Sequence, residues 1–316
     1  MTLLPSHGLA FGVLLLAHAA VRSPRGDAAS WARAAADQAP FWARSLNLRA
    51  TAHALARHGL ATSTETGIQP SEQLRMLAAL ESGALQATAR VLLAAAPPTW
   101  LSSAVRSATV VRDYVPAADL KALAWLEPEL DTLLTDAAAQ QRRADETAWR
   151  ERLGAAAEAA VLSALRRTGR EAVQVSLVSD AYGYDIEVCD PPTAQIEVKG
   201  AGPHSRGSFH LTRHEYETAR RRPGTWRLVQ VVFHSSAFTA APAAVLGPAH
   251  VAEVLCLTPE ALRAAVPEDT DAFVWEQSAL LTPPTTAWKT LDLKPAADFS
   301  APGLRHRAVS HHQYRR

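Results

Sequence analysis

Near residue 145 the spacing of apolar residues changes character, and that change constrains the fold of this 316-residue chain more than any other feature. Before it, "SWARAAADQAPFWARSLNLRATAHALARHGL" and "SEQLRMLAALESGALQATARVLLAAA" repeat apolar residues at helical intervals. After it, "EAVQVSLV" and "YDIEV" alternate with a period of two, and "WRLVQVVF" is a continuous apolar run of the kind a central strand carries. One period cannot serve both elements, so the halves need separate cores. The expected architecture is mixed (α+β, α/β). An all-helical N-terminal domain over 1–145 precedes an α-and-β domain over 146–300, and a polar basic tail occupies 301–316.

With 48% apolar and 20% charged residues, the chain has the composition of a globular protein. A formal net charge of +1 excludes a strongly basic protein, so any contact with nucleic acid must come from local patches. Cys189 and Cys256 have no CxxC partner, which excludes a disulfide framework and a zinc knuckle; both read as small buried strand residues. "LAFGVLLLAHAAVRS" resembles the apolar core of a signal peptide, but no basic residue precedes it. It is also shorter than the about 20 apolar residues of a membrane span. A buried first helix and a cytoplasmic protein are expected.

Within the helical half, "LRATAHALARHGLATSTETGIQPSEQLRMLAAL" has the rhythm of a helix-turn-helix, which bundles with no DNA contact share. "PSEQL" puts a proline, a cap and an acid at a helix start, and Trp31, Trp42, Trp100 and Trp125 read as packing residues. The polar run "TDAAAQQRRADETAWRER" suits an exposed helix linking the domains. Then follow the helix "RLGAAAEAAVLSALRRTG", two strands, a third strand "AQIEVKG", the helix "LTRHEYETARRRPG" and the strand "WRLVQVVF". Beyond 235, "PAHVAEVLCLTPEALRAAV" offers a strand and a short helix, while "WEQSALL" and "AWKTLDL" suit edge strands.

The chemistry concentrates in "YGYDIEVCDPPTAQIEVKG". If "DPPTAQ" is a turn, Asp185 and Glu197 fall on neighbouring antiparallel strands, where opposite side chains approach to about 5 Å. Two carboxylates that close repel unless a cation lies between them, and oxygen ligands suit Mg2+ or Mn2+. Glu197 and Lys199 share a strand face, so an ammonium would stand beside the metal ligand. Val198 points into the core with its carbonyl free to ligate, and Glu158 on the preceding helix is a further candidate ligand. The chain has four lysines, and "DLKP" at Asp292–Lys294 repeats the acid-x-Lys spacing without the upstream strand or the following helix. From Lys199 to Arg227 seven basic residues, Arg206, Arg213, Arg220, Arg221 and Arg222 among them, face two acids, a basic patch fit for phosphates. His204, His210 and His214 lack ligand spacing and read as surface residues, and Tyr182, Tyr184 and Trp226 as packing.

This order of elements looks like the core of the PD-(D/E)XK nuclease superfamily. More closely, "GAAAEAAVLSAL", "YGYDIEV", "IEVKG" and "FHLTRHEYETAR" resemble the DUF3883 family, also known as the NO VEIN C-terminal domain, over about residues 150–235. The resemblance implies a restriction-endonuclease-like αβββαβ core. It implies Asp185 as principal metal ligand, Glu197 as second ligand, Lys199 as catalytic lysine and Glu158 on the first helix, with Phe209, Thr212 and Glu215 in the segment that follows. The expected function is a Mg2+- or Mn2+-dependent endonuclease acting on DNA, with RNA as the second substrate class, in restriction or anti-phage defence. The alternative is a catalytically inactive nuclease-fold module that binds nucleic acid or protein. No helicase or methyltransferase motif is present, so residues 1–145 are expected to engage a separate protein partner or the substrate; a homodimer is compatible with the sequence, and no membrane is implied.

Overall fold

The computed structural model describes residues 3–306 except 23–25, 66, 107, 267, 268 and 270–273. The chain divides into two compact units, with the boundary between Ala144 and Asp145. No helix among the described residues is long and apolar enough to cross a membrane.

The first unit is built on helices α1 (His7–Arg22), α2 (Ala28–Gln38), α3 (Pro40–Ala43), α4 (Leu48–Arg57), α5 (Glu72–Ala78), α6 (Ala84–Ala95), α7 (Leu101–Ala104), α8 (Ala117–Leu123) and the start of α9 (Leu130–Arg167). The apolar "LAFGVLLLAHAA" becomes α1, which packs against α2, α4, α5 and α6. Trp31 is fully buried there and donates its indole N–H to the Leu16 carbonyl at 2.8 Å. Side-chain caps start several helices: Asp27 accepts from Ser30 N at 2.7 Å, Asn47 from Ala50 N at 3.1 Å and Ser71 from Leu74 N at 3.4 Å. The unit is not all helix. Hairpins β1 (Ala61–Thr64) with β2 (Gly67–Pro70) and β3 (Val105–Arg106) with β4 (Thr109–Val110) interrupt it. Where the sequence has the rhythm of a helix-turn-helix, the first hairpin stands between α4 and α5, because "ATST" and "GIQP" are poor in helix formers. Trp42 also departs from expectation. It is 58% exposed beside the exposed Phe41, with Phe11 edge-on to its ring at 6.2 Å.

The second unit is mixed α/β, built on a six-stranded sheet of order β13-β11-β9-β7-β6-β5. Its strands are β5 (Ala172–Gln174), β6 (Ile186–Val188), β7 (Ala194–Ala201), β9 (Trp226–Phe233), β11 (Val251–Leu257) and β13 (Trp288–Leu291). Only the β7–β9 pair is parallel, the helix α10 (Arg213–Arg221) lying in its crossover; the other pairs are antiparallel. Outside this sheet, β8 (Phe209–Thr212) pairs with β12 (Ser278–Leu281), so "FHLT" is a strand and the helix begins only at Arg213. A short α11 (Ser235–Thr239) and α12 (Pro259–Ala265) follow β9 and β11.

Alternation along β7 separates two cores. Ile196 and Val198 join Leu153, Ala157 and Val161 of α9 on one face, while Ala201 joins Phe209, Leu211 and Ala219 on the face of α10. Helix α9 lies very close to the sheet. A Cβ on Gly200 would sit 2.8 Å from the Leu153 carbonyl oxygen, so the glycine of "IEVKG" admits the helix backbone.

Three local expectations are corrected here. "EAVQVSLV" is a strand only through Gln174, because the chain turns after Val175 and leaves Leu177 and Val178 exposed. Cys256 is buried, but Cys189 just past β6 is exposed. Residues 301–306 belong to the core and are no polar tail. There β14 (Ala301–Pro302) pairs with β10 (Val245–Leu246), Leu304 is fully buried, and its carbonyl accepts the Trp149 indole N–H at 2.8 Å. Residues 307–316, the rest of the expected basic tail, lie outside the described residues.

Candidate active site

The polar face of β7 carries the candidate site. The β6–β7 register ends where Ile186 pairs with Ile196, and Asp185 stands one residue before that end, close enough to Glu197 for its charge to push the Glu197 carboxyl up. Gly183, at φ +69°, makes the preceding bend, and a Cβ there would lie 2.4 Å from Thr218 Oγ1 of α10. Asp185 is thereby fixed at the ladder's end. Its backbone N–H donates to the Ile196 carbonyl at 2.9 Å, and its Oδ2 accepts the Val198 N–H at 2.8 Å. The carbonyl of Val198 lies on the same strand edge as its N–H, while the Val198 side chain is in the α9 core.

Glu197 is 3% exposed, and its Oε1 lies 2.7 Å from Lys199 Nζ, two residues on along the same face. Lys199 also reaches Glu215 Oε2 at 3.1 Å. Glu215 is placed by a capping box at the start of α10: Thr212 Oγ1 accepts the Glu215 N–H at 3.2 Å, and Glu215 Oε2 accepts the Thr212 N–H at 2.9 Å. The T-x-x-E spacing announces this box; its contact with Lys199 has no local sequence signal.

Burial dominates the electrostatics. It pushes the Asp185 carboxyl up to about 7, the charge of Glu158 adds to the rise, and the Val198 N–H and Lys199 oppose it. Burial also raises Glu197 well above the ordinary carboxylate range, with Lys199 acting against it and Glu215 and Asp185 reinforcing it. For Lys199 burial works downward, but the carboxylates of Glu197 and Glu215 more than reverse it and hold the ammonium charged.

Glu158 has hydrogen-bond partners of its own. Its Oε2 accepts from Gln174 Nε2 at 2.8 Å and Ser176 Oγ at 2.6 Å. Gln174 lies opposite Ile186, on the α9 face, so Glu158 approaches from the other side of the sheet. Among the described residues no three His, Cys, Asp or Glu side chains converge to hold a metal ion. The expected set of Glu158, Asp185, Glu197 and the Val198 carbonyl is therefore not assembled as one cluster. Asp185, Glu197 and that carbonyl do share one end of the β6–β7 pair. Two carboxylates and a carbonyl are hard oxygen donors of the kind a divalent cation takes, and a cation beside Asp185 and Glu197 would offset the cost of their burial.

Three of the five arginines named in the expected basic patch are paired with acids. Arg206 is held by both oxygens of Glu253, at 2.5 and 3.1 Å, and Arg213 by both oxygens of Asp269, at 2.8 and 2.6 Å. Arg220 pairs with Glu217 at 3.2 Å, Arg221 reaches the Glu217 carbonyl and Thr218 Oγ1, and Arg222 lies over the Tyr184 ring. The acids that quench Arg206 and Arg213 lie 47 and 56 residues away in sequence, beyond any local pattern. Gln230, the fully buried polar residue of "WRLVQVVF", lies opposite Lys199 on β9. It pins the 207–208 loop by accepting from Gly207 N at 2.7 Å and donating to the Ser208 carbonyl at 2.9 Å. "DLKP" remains an exposed loop, with Lys294 Nζ 3.6 Å from Asp292.

The segment that builds this site can now be placed. Residues 157–241 match the family model of Protein NO VEIN, C-terminal. This NO VEIN segment begins in α9 and takes in β5 to β9, and with them Glu158, Asp185, Glu197, Lys199 and Glu215. Strands β11 and β13, and the β14 strap, lie outside it. Neither curated proteins nor solved structures gave a match to the chain.

Proposed function

We propose that residues 145–306 form a metal-dependent nuclease module that hydrolyses phosphodiester bonds, with DNA as the favoured substrate and RNA as the second class. One observation carries the reading: the end of the β6–β7 pair brings together Asp185, bonded to the Val198 N–H, and the Glu197–Lys199 ion pair, inside the segment that matches the NO VEIN C-terminal model. Asp185, Glu197 and the Val198 carbonyl would hold Mg2+ or Mn2+. Such an ion polarises a phosphoryl oxygen and makes bound water acidic. The chain's own residues do the rest. Lys199, kept charged by its two carboxylates, offsets negative charge at the phosphorus, and the Val198 N–H fixes the orientation of Asp185. Restriction or defence against phage is a setting such an activity would serve. The helical unit is assigned to engaging a separate protein or the substrate.

The test is direct. Purified chain is incubated with plasmid DNA, linear DNA and RNA in Mg2+, Mn2+ or EDTA, beside Asp185→Ala and Lys199→Ala. Cleavage is expected with a divalent ion and not in EDTA, with each substitution lowering it by about 100-fold or more. Variants that cut like the parent would sink the assignment. A second reading, a nuclease-fold binding module without catalysis, is favoured by the capture of Lys199 between two carboxylates and the absence of a three-acid cluster among the described residues. Binding without cleavage in any metal, with an affinity that falls steeply as salt rises, would decide for it.

A further inference from the structure

Lys199 has two partners of different kinds. Glu197 is its neighbour on the same strand face and is also, with Asp185, one of the two carboxylates at the end of the β6–β7 pair. Glu215 comes from α10, and its carboxylate is anchored without the lysine, because the same Oε2 that lies 3.1 Å from Lys199 Nζ accepts the Thr212 N–H. A divalent cation and an ammonium carry like charge and repel at short range. Glu197, with Lys199 at 2.7 Å, cannot serve both fully. Glu215 lies outside that competition.

We propose that Glu215 is the positioning residue for Lys199: it retains the lysine head group at the start of α10 when Glu197 turns to a cation, so the lysine stays beside the site. This rests on the reading of Asp185 and Glu197 as cation ligands, but the hold of Glu215 on Lys199 is testable without any metal. Lys199, with a side chain 20% exposed, is the sheltered one of four lysines, whereas Lys121 and Lys289 are exposed and serve as internal standards.

The experiment is brief acetylation of the full chain with acetic anhydride, read residue by residue by mass spectrometry. Glu197→Gln imitates a Glu197 whose charge is taken. In that variant, free of metal, Lys199 should label within about twofold of the parent, and adding Glu215→Gln should raise its labelling on the order of tenfold or more. Labelling of Lys199 in Glu197→Gln alone at the rate of Lys121 would overturn the proposal. Because glutamine also serves at the third position of a capping box, Glu215→Gln removes the charge and keeps the helix start. Thr212→Ala does the converse, and in the Glu197→Gln background it should leave Lys199 protected; exposure equal to that of the double glutamine variant would mean that the cap, and not the carboxylate, shelters the lysine. Should the double glutamine variant fail to fold, Mn2+ added to Glu215→Gln takes its place: Lys199 should become reactive there and stay protected in the parent. No change, with Mn2+ binding verified by calorimetry, would refute the proposal. A parent that binds no Mn2+ while Glu197→Gln stays protected would remove the cation reading and leave the Lys199–Glu215 pair standing.

Discussion

Asp185 carries its carboxyl at a pKa of about 7 in the folded chain, against an ordinary 3.8. A folded pKa raised in this way favours the folded state fully below the unfolded value, and that contribution is lost as pH rises through about 7. Asp185→Asn keeps an oxygen that accepts the Val198 N–H and removes the ionisation. In EDTA at pH 8 the variant should be more stable than the parent by roughly 2 to 4 kcal/mol, with the gap closing towards pH 4, as read by urea unfolding. A variant no more stable at pH 8 would mean that the ionised carboxylate carries no penalty there. Under the cation reading, millimolar Mn2+ should raise the melting temperature of the parent and not that of the variant.

At the scale of elements, two segments invite test. Gly200→Ala would drive a methyl group against the Leu153 backbone carbonyl, which cannot retreat as a side-chain tip does. A loss of about 2 kcal/mol or more is expected, and shortening Leu153 to Ala should not restore it. The polar run around Arg142 and Arg143 is part of helix α9, so trypsin should cut these exposed arginines slowly, after local opening. Early cleavage there, followed by gel electrophoresis, would mean a flexible link. Much of this level was legible in the sequence. Period and length alone located α10, β7, β9 and β11, because each has a continuous pattern bounded by glycine or proline. That Asp185 and Glu197 fall on consecutive antiparallel strands followed from the same alternation. What stayed hidden depends on distant partners. Glu253 and Asp269 are ordinary surface acids until the fold sets them on Arg206 and Arg213, and nothing near Glu158 reveals that Ser176 and Gln174 hold it on the opposite side of the sheet.

Over the whole chain, the two units rest on different interiors. The first is packed largely by leucine and alanine from helices, the second by branched and aromatic residues from strands. The second also closes on itself late in the chain. Leu304 is fully buried in the α9-side core, so Leu304→Ala should cost roughly 2 to 4 kcal/mol and lower the unfolding midpoint of that unit, a shift visible by calorimetry. An unchanged midpoint would mean that residues after 300 are dispensable. This segment was read as tail because its few apolar residues have no period, and a strap of six residues is too short to show one.

The strap has a geometric corollary. Trp149 bonds to the Leu304 carbonyl, and Glu146 lies 3.2 Å from His306, so the first and last turns of the second unit are side by side. A unit whose ends adjoin can be relinked head to tail and opened at another surface loop, or spliced as a cassette into a host loop, without redrawing its sheet.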